Sequence, residues 1–288
     1  VWRYNPIGHA IFVLFAVPVI SQVFVMPITT AIPIRTRCQE EFGKVAYEVV
    51  HHAFTIHNEL GRIFHESIYR STLKQLLGSR AIEELEISLI HGEFRKRFYI
   101  DLLVDLGCLF ELKAATSLTT VHQSQLIQYL MLTGLSHGKL INFGAERVEH
   151  RFVNCHESLE QRREFQTDRI NWNGYGATQR LEQIVVPLLR DWGTGLSRAL
   201  YLEAVIALAG GEQQCGQFTE TQWRGQRTGR QSVNLIDHGV AFEITCLRKD
   251  FDQYESHLGR FLRNTKLDAV LWVNINFGSL RLQRIVCG

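Results

Sequence analysis

No two of the six cysteines stand close enough for a C-x-x-C pair; the nearest, Cys215 and Cys246, are 31 residues apart. A zinc ribbon or an iron–sulfur cluster therefore finds no support in the spacing. The scattered thiols, Cys38, Cys108, Cys155 and Cys287 included, suit a reducing cytoplasm, each as a small buried hydrophobe. A strong excess of one charge is missing too. There are 31 basic and 29 acidic side chains, net charge +2, so bulk charge neither demands nor rules out a nucleic-acid partner. At 288 residues, 45% hydrophobic and 21% charged, the chain is of ordinary globular composition, long enough for one large or two small domains.

The sequence has no methionine before Met26, and no A-x-A cleavage pattern follows its apolar N-terminal stretch, residues 9–34. Only Arg3 precedes that stretch, and Pro18 interrupts it. Residues 1–25 are expected to be upstream translation ahead of a natural start at Met26. A signal sequence or short membrane anchor is the alternative, then a packed segment; membrane association is not the expected outcome.

Along the rest of the chain, "EEFGKVAYEVVHHAFTIHNELG" (40–61) spaces Phe42, Val45, Ala46, Val49, Val50, Ala53, Phe54 and Ile56 as a helix does, and Gly61 ends it. "HESIYRSTLKQLLG" predicts a second helix closed by Gly78. Alternation on both sides of His91-Gly92 predicts a hairpin, and Asp105-Leu106-Gly107 turns the chain into a strand over 108–113. A helix ending at Gly134 and the strand "GKLINFG" complete an order α-α-β-β-β-α-β. The second half repeats this plan. "AFEITC…VNINFG" (241–278) follows "LFELKA…INFG" (109–144), and "WGTGLSRALY" (192–201) mirrors "LGRIFHESIY" (60–69).

In "YIDLLVDLGCLFELKAA" (99–115), Asp101, Glu111 and Lys113 stand where a core would take Val or Ile. Residues two apart on a strand share a face, so Glu111 and Lys113 point the same way, and the hairpin returns Asp101 to the same end of the sheet. Two converging carboxylates call for a counter-charge. A hard divalent cation with oxygen ligands is the natural one, and a nearby lysine suits water and phosphate. The chemistry this points to is phosphodiester hydrolysis; the alternative is a buried salt-bridge cluster.

These residues carry a resemblance to the PD-(D/E)XK nucleases, and residues 40–154 more closely resemble the bacterial GxxExxY proteins. The motifs are "NELGRIFHESIY" (58–69), "YIDLLVD" (99–105), "FELKA" (110–114), "HQSQLIQYL" (122–130) and "INFG" (141–144). The resemblance implies a restriction-endonuclease-like α/β unit with a small mixed sheet flanked by helices. It implies Mg2+ or Mn2+ held by Asp101 and Glu111, with the Leu112 backbone carbonyl and Glu66 assisting. It also implies Lys113 placing water or phosphate, Gln125 and Tyr129 orienting the site, and Tyr69 supporting Glu66. One departure is Ile63, where the family has a second glycine before the glutamate.

The second half (175–280) resembles a degenerate copy. Asn234 aligns with Asp101, Thr245 with Lys113, Arg198 with Glu66, and His257 and Phe261 with Gln125 and Tyr129, while Glu243 remains. The expected domains are 36–154, a linker over 155–175, and 176–288, packed as an intramolecular pseudo-dimer. Arg95, Lys96 and Arg97, with Arg224, Arg227 and Arg230, are candidate phosphate contacts or ordinary solvated charge. His122 is a lesser candidate; His51, His52 and His57 read as helix-face residues. The expected function is a cytoplasmic metal-dependent nuclease with one live site, DNA the expected substrate. The competing reading is an inactive module that binds nucleic acid or protein.

Overall fold

The structure, a computed structural model, describes residues 27–287. The expectation of upstream translation or a leader over 1–25 lies outside those residues. Among the described residues, no helix is long and apolar enough to cross a membrane.

The first half builds a six-stranded sheet from β1 (Ile28–Thr30), β2 (Ala81–His91), β3 (Phe94–Val104), β4 (Cys108–Lys113), β5 (His137–Asn142) and β6 (Glu149–Asn154), side by side in that order. Only β4 and β5 run parallel, because α3 (Thr120–Thr133) crosses between them and an antiparallel turn does not. Two helices precede the hairpin, α1 (Gln39–Leu60) and α2 (Glu66–Leu77). Each stops at a glycine in the left-handed half of backbone space, Gly61 at φ +75° and Gly78 at φ +61°, where a side chain would be strained. The edge strands β1 and β6 are additions to the expected element order.

The second half opens with α4 (Leu159–Arg163) and β7 (Gln166–Ile170). It continues with α5 (Ala177–Trp192), α6 (Arg198–Leu208), α7 (Glu212–Cys215), β8 (Gly216–Trp223), β9 (Gln226–Asp237), β10 (Val240–Thr245), α8 (Phe251–Arg263), β11 (Ala269–Asn276) and β12 (Ser279–Val286). Its sheet order is β7-β12-β11-β10-β9-β8. The stretch expected to be a linker, 155–175, thus carries a helix and a sheet edge. β7 is short and pairs parallel to β12 through its backbone, so its polar side chains hid it.

The two sheets share a common core of topology. A hairpin leads to a central strand, a helix crosses over to a parallel strand, and an antiparallel strand follows: β2 to β6 in one, β8 to β12 in the other. The extra strands differ, since β1 flanks β2 whereas β7 flanks β12. Local bonding repeats as well. The Tyr69 hydroxyl donates to the Gly61 carbonyl (2.8 Å) and accepts from Phe64 N–H (3.2 Å). The Tyr201 hydroxyl does the same with Gly193 (2.6 Å) and Leu196 (3.1 Å). The Asn142 amide brackets Ala115 N–H and C=O, and the Asn274 amide brackets those of Leu247.

These ladders correct two sequence alignments. Leu102 pairs with Phe110, setting Asp101 across from Glu111; Asn234 pairs with Phe242, which sets Val233 and not Asn234 across from Glu243. Likewise Asn274, not the Asn276 of the second "INFG" string, takes the place of Asn142. Strand register, not the local string, decides which residues correspond.

The layers alternate. One core lies between α1, α2 and the first sheet, with Phe42, Val49, Tyr69, Phe110 and Phe143. A second lies between α8 and the second sheet, around Leu258, Leu262 and Trp272. The largest fills the middle, where α3, α5 and α6 are packed between the two sheets. Trp192 anchors it, with its indole N–H donating to the Ile90 carbonyl (3.2 Å). The buried Arg162 guanidinium donates to the carbonyls of Met131 on α3 (3.0 Å), Trp192 (2.7 Å) and Thr194 (2.8 Å), tying the halves together.

Candidate active site

Lys113 is the last residue of β4 and Glu111 lies two before it, on the α3 face of the sheet. Lys113 Nζ is 2.7 Å from Glu111 Oε1, 3.8 Å from Asp101 Oδ2 and 3.7 Å from Glu66 Oε2. Glu111 is fully buried, and its second oxygen, Oε2, has no hydrogen-bond partner. Asp101 Oδ2 accepts from Leu112 N–H at 2.8 Å, so the Leu112 backbone acts on Asp101 through its N–H. The four side chains expected to converge do so.

A break in the pleat sets Asp101 there. Ile100 and Leu103, three residues apart, both enter the middle core, while Leu102 enters the one beneath α1 and α2. On β2 the pairing passes from Glu83–Leu102 to Leu85–Ile100, skipping Glu84, which sits at φ +49°. Arg70 fastens the break: its guanidinium lies 2.6 Å from Glu84 and 3.5 Å from Asp101 Oδ1. Sequence reasoning missed Arg70, Glu83 and Glu84. Arg70 stands four residues after Glu66 on one helix, a spacing that places both on one face and was available as a signal.

Around this point the chain is held closely. The Tyr69 ring stacks on Phe143 at 4.4 Å, and its hydroxyl fixes the loop that leads to Glu66. Phe143 N–H donates to the Lys113 carbonyl (2.7 Å), and a Cβ on Gly144 would meet the Ala115 carbonyl oxygen at 2.5 Å. The "INFG" glycine is there because the two backbones touch.

Burial dominates the electrostatics. It pushes the Glu111 carboxyl up to about 8, and Asp101 close by adds to the rise against the pull of Lys113. Burial likewise raises Asp101 and Glu66, with Lys113 and Arg70 working the other way. For Lys113, burial works against the charge, but Glu111, Asp101 and Glu66 outweigh it and hold the ammonium above its ordinary range. Fully ionised, Glu66, Asp101 and Glu111 outnumber Lys113 and Arg70, and the upward shifts are the response to that surplus. Among the described residues no group of three or more His, Cys, Asp or Glu is arranged as a ready-made metal cluster. Magnesium asks for only one or two carboxylates, and the unpartnered Glu111 oxygen beside Asp101 fits that requirement.

Gln125 Nε2 lies 3.3 Å from the Tyr129 hydroxyl on α3, and Tyr129 feels the charges of Glu111 and Asp101. His122 is taken up by the helix cap, accepting from Thr119 N–H at 3.3 Å. His57 meets the Ala145 carbonyl (3.2 Å) and His52 lies 4.0 Å from Glu48; neither these nor the neighbouring His51 are at the site. The basic stretches divide. Arg95 and Arg97 are exposed, Arg97 3.7 Å from Glu86, whereas Lys96 pairs with Glu203 on α6 and helps join the two halves. Arg224, Arg227 and Arg230 are exposed on the β8–β9 hairpin, with Arg227 3.4 Å from Glu220.

At the corresponding point of the second sheet, Arg198 donates to Glu243 Oε1 (2.8 Å) and to the Ile244 carbonyl (2.6 Å), and Tyr254 donates to the same Glu243 oxygen (3.1 Å). Thr245 is buried, donating to Asn274 and accepting from the Trp272 indole N–H. His257 lines the cleft beside Glu243, and Phe261 packs in the α8 core.

Residues 43–153 match the family described as the PD-(D/E)XK nuclease superfamily. That span takes in α2, the hairpin, β4 and the whole cluster around Glu111. No curated protein and no solved structure matches the chain.

Proposed function

We propose that the chain is a metal-dependent nuclease of the GxxExxY kind, with one live site in its first unit and a degenerate second copy of the same fold. The observation that carries the reading is Glu111 Oε2. It is a buried carboxylate oxygen with no partner, beside Asp101 and within reach of a lysine. Asp101 and Glu111 would hold magnesium or manganese, with Glu66 and the Leu112 carbonyl at its margin. The ion supplies charge neutralisation on the phosphate and makes water a better nucleophile at neutral pH.

The chain's own residues do the rest. Leu112 N–H fixes Asp101 from one side and Arg70 from the other, so the carboxylate keeps one orientation. Lys113 donates from its ammonium to a non-bridging phosphate oxygen and offsets the charge that builds there in the transition state. Glu66 is the most exposed of the three carboxylates, its side chain 32% accessible, and its raised affinity for protons suits it to take one from the attacking water. Gln125 and Tyr129 support the far wall. Arg95 and Arg97, exposed on β3 with Arg97 3.7 Å from Glu86, offer phosphate contacts on the approach, as do Arg224, Arg227 and Arg230. DNA is the proposed substrate.

Labelled single- and double-stranded DNA and RNA are offered to the protein with magnesium or manganese, beside Lys113→Ala and Asp101→Asn. Cleavage by the parent, lost in both variants, is the expected result. An inactive binding module is the second reading, favoured by the missing acid and lysine around Glu243. It predicts no cleavage and no thermal stabilisation by either ion.

A further inference from the structure

The β8–β9 hairpin is the counterpart of β2–β3, but the two tips meet different surroundings. The first tip is covered: Phe94 packs on Trp192, 5.5 Å between ring centres, and His91 pairs with Asp191 at 2.6 Å. The second stands open. Trp223 at its end is 61% exposed, and Phe218 on the same strand is 70% exposed. Arginines surround these rings. Arg224 and Gly225 form a two-residue turn, both at positive φ (+50° and +77°), a geometry that joins two strands tightly. The Arg224 guanidinium lies over the Trp223 ring, 4.6 Å from its centre. One extra residue in β9 lets Arg227 and Arg230 pair with Gln222 and Glu220, so both arginines share the face that carries Phe218.

Between Glu212 and Asp237 the only acid is Glu220. It lies 2.7 Å from Lys266 and 3.4 Å from Arg227, whereas Arg224 and Arg230 have no carboxylate at ion-pair distance among the described residues. The hairpin therefore carries a basic surplus. Its backbone edge is not on offer near the tip, because Gln222 N–H donates to the Asn264 carbonyl (2.9 Å) and Thr221 bridges to Thr265. A ligand must be met by side chains, which are flat apolar rings set among guanidinium groups. An acidic peptide would use the cations and leave the rings idle. A single nucleic-acid strand uses both, since its bases stack on aromatic faces while its phosphates take the arginines. A duplex keeps its bases stacked on one another.

We propose that the β8–β9 hairpin is a metal-independent platform for single-stranded nucleic acid. Trp223 and Phe218 stack on bases, and Arg224, Arg227 and Arg230 meet the flanking phosphates. The inference rests on the nuclease reading for the kind of ligand and adds to it the state of the strand.

Fluorescence anisotropy with labelled oligo(dT), alone or annealed to oligo(dA), in EDTA and over a range of salt, reads this platform separately from catalysis. The parent binds the single strand about tenfold more tightly than the duplex. Trp223→Ala weakens single-strand binding by about tenfold and leaves the salt slope unchanged, since stacking releases no counterions; Trp223→Phe keeps most of the affinity. Phe218→Ala weakens binding in the same way. Arg224→Gln with Arg230→Gln lowers the log–log salt slope by roughly 1.4, two single-strand phosphate contacts. All four side chains are exposed, and unchanged thermal melting of the variants excludes misfolding as the cause. Absence of binding in EDTA overturns the proposal, as does equal affinity for the duplex or binding untouched by Trp223→Ala. Labelled poly-glutamate bound as tightly as the single strand overturns it in favour of an acidic protein. Magnesium-dependent cleavage is scored in the same preparations. Metal-free binding without cleavage refutes the nuclease reading and leaves the platform standing; cleavage without metal-free binding does the reverse.

Discussion

Lys113 Nζ touches only one of the two oxygens of Glu111, at 2.7 Å, and the other oxygen is buried without a partner. A carboxylate in that state destabilises the metal-free fold, because desolvation of its charge is only half compensated.

Replacement of Glu111 by Gln should therefore stabilise the metal-free protein near pH 8 by about 1 kcal/mol or more, and abolish any rise in Tm on adding magnesium. Lys113→Ala should act in the opposite direction. Above about pH 8, where Glu111 ionises, it leaves that buried charge without its cation and should lower stability by about 3 kcal/mol; below that pH the carboxyl stays protonated and the loss should be smaller. Denaturant melts of both variants, with and without magnesium, measure each effect.

The metal-free protein should lose stability as pH rises from about 4.5 to 8. Burial, with Asp101 adding to it, raises Glu111 from 4.5 in the unfolded chain to about 8 in the folded one, so the folded state binds more protons between those values. Its contribution is complete below the unfolded value and lost as pH climbs through the folded one. Raised affinity at Asp101 and Glu66 adds in the same direction. Urea midpoints in EDTA at pH 5, 6.5 and 8 should fall in that order, and saturating magnesium should flatten the trend.

Tyr69→Phe removes the hydroxyl that holds both Gly61 and Phe64 and should lower stability by about 1 to 2 kcal/mol. The loop entering Glu66 then loosens, so cleavage should fall more than the melting temperature suggests. Tyr201→Phe makes the same deletion in the second unit, where the hydroxyl is fully buried, and should destabilise without direct effect on the first site.

Arg162→Met deletes three hydrogen bonds to backbone carbonyls at the seam between the halves. Two buried acceptors and one half-buried one, left without these donors, should cost about 3 kcal/mol. The unfolding transition should also broaden, as the halves become less strongly coupled; calorimetry reads both.

Much of this was legible in the sequence because it rested on short-range periodicity. The two-residue repeat of a strand put Glu111 and Lys113 on one face, and Gly61, Gly78 and Gly134 ended the helices as expected. The fastening of Asp101 by Arg70 was not legible, because it depends on a pleat break at Glu84 that only the paired strands create. "INFG" recurred as a string, yet its second occurrence sits two residues beyond the asparagine that brackets both backbone groups of Leu247, since register belongs to the sheet and not to one strand. β7 escaped notice because its strand is made by the backbone of β12 and not by an apolar pattern of its own.

With α5 and α6 wedged between the sheets, the second half is the inner wall of the first. Cut away after residue 154, the face bearing Ile87, Leu89 and Phe94 would meet water. The half without the acid and lysine is therefore as indispensable as the half that has them.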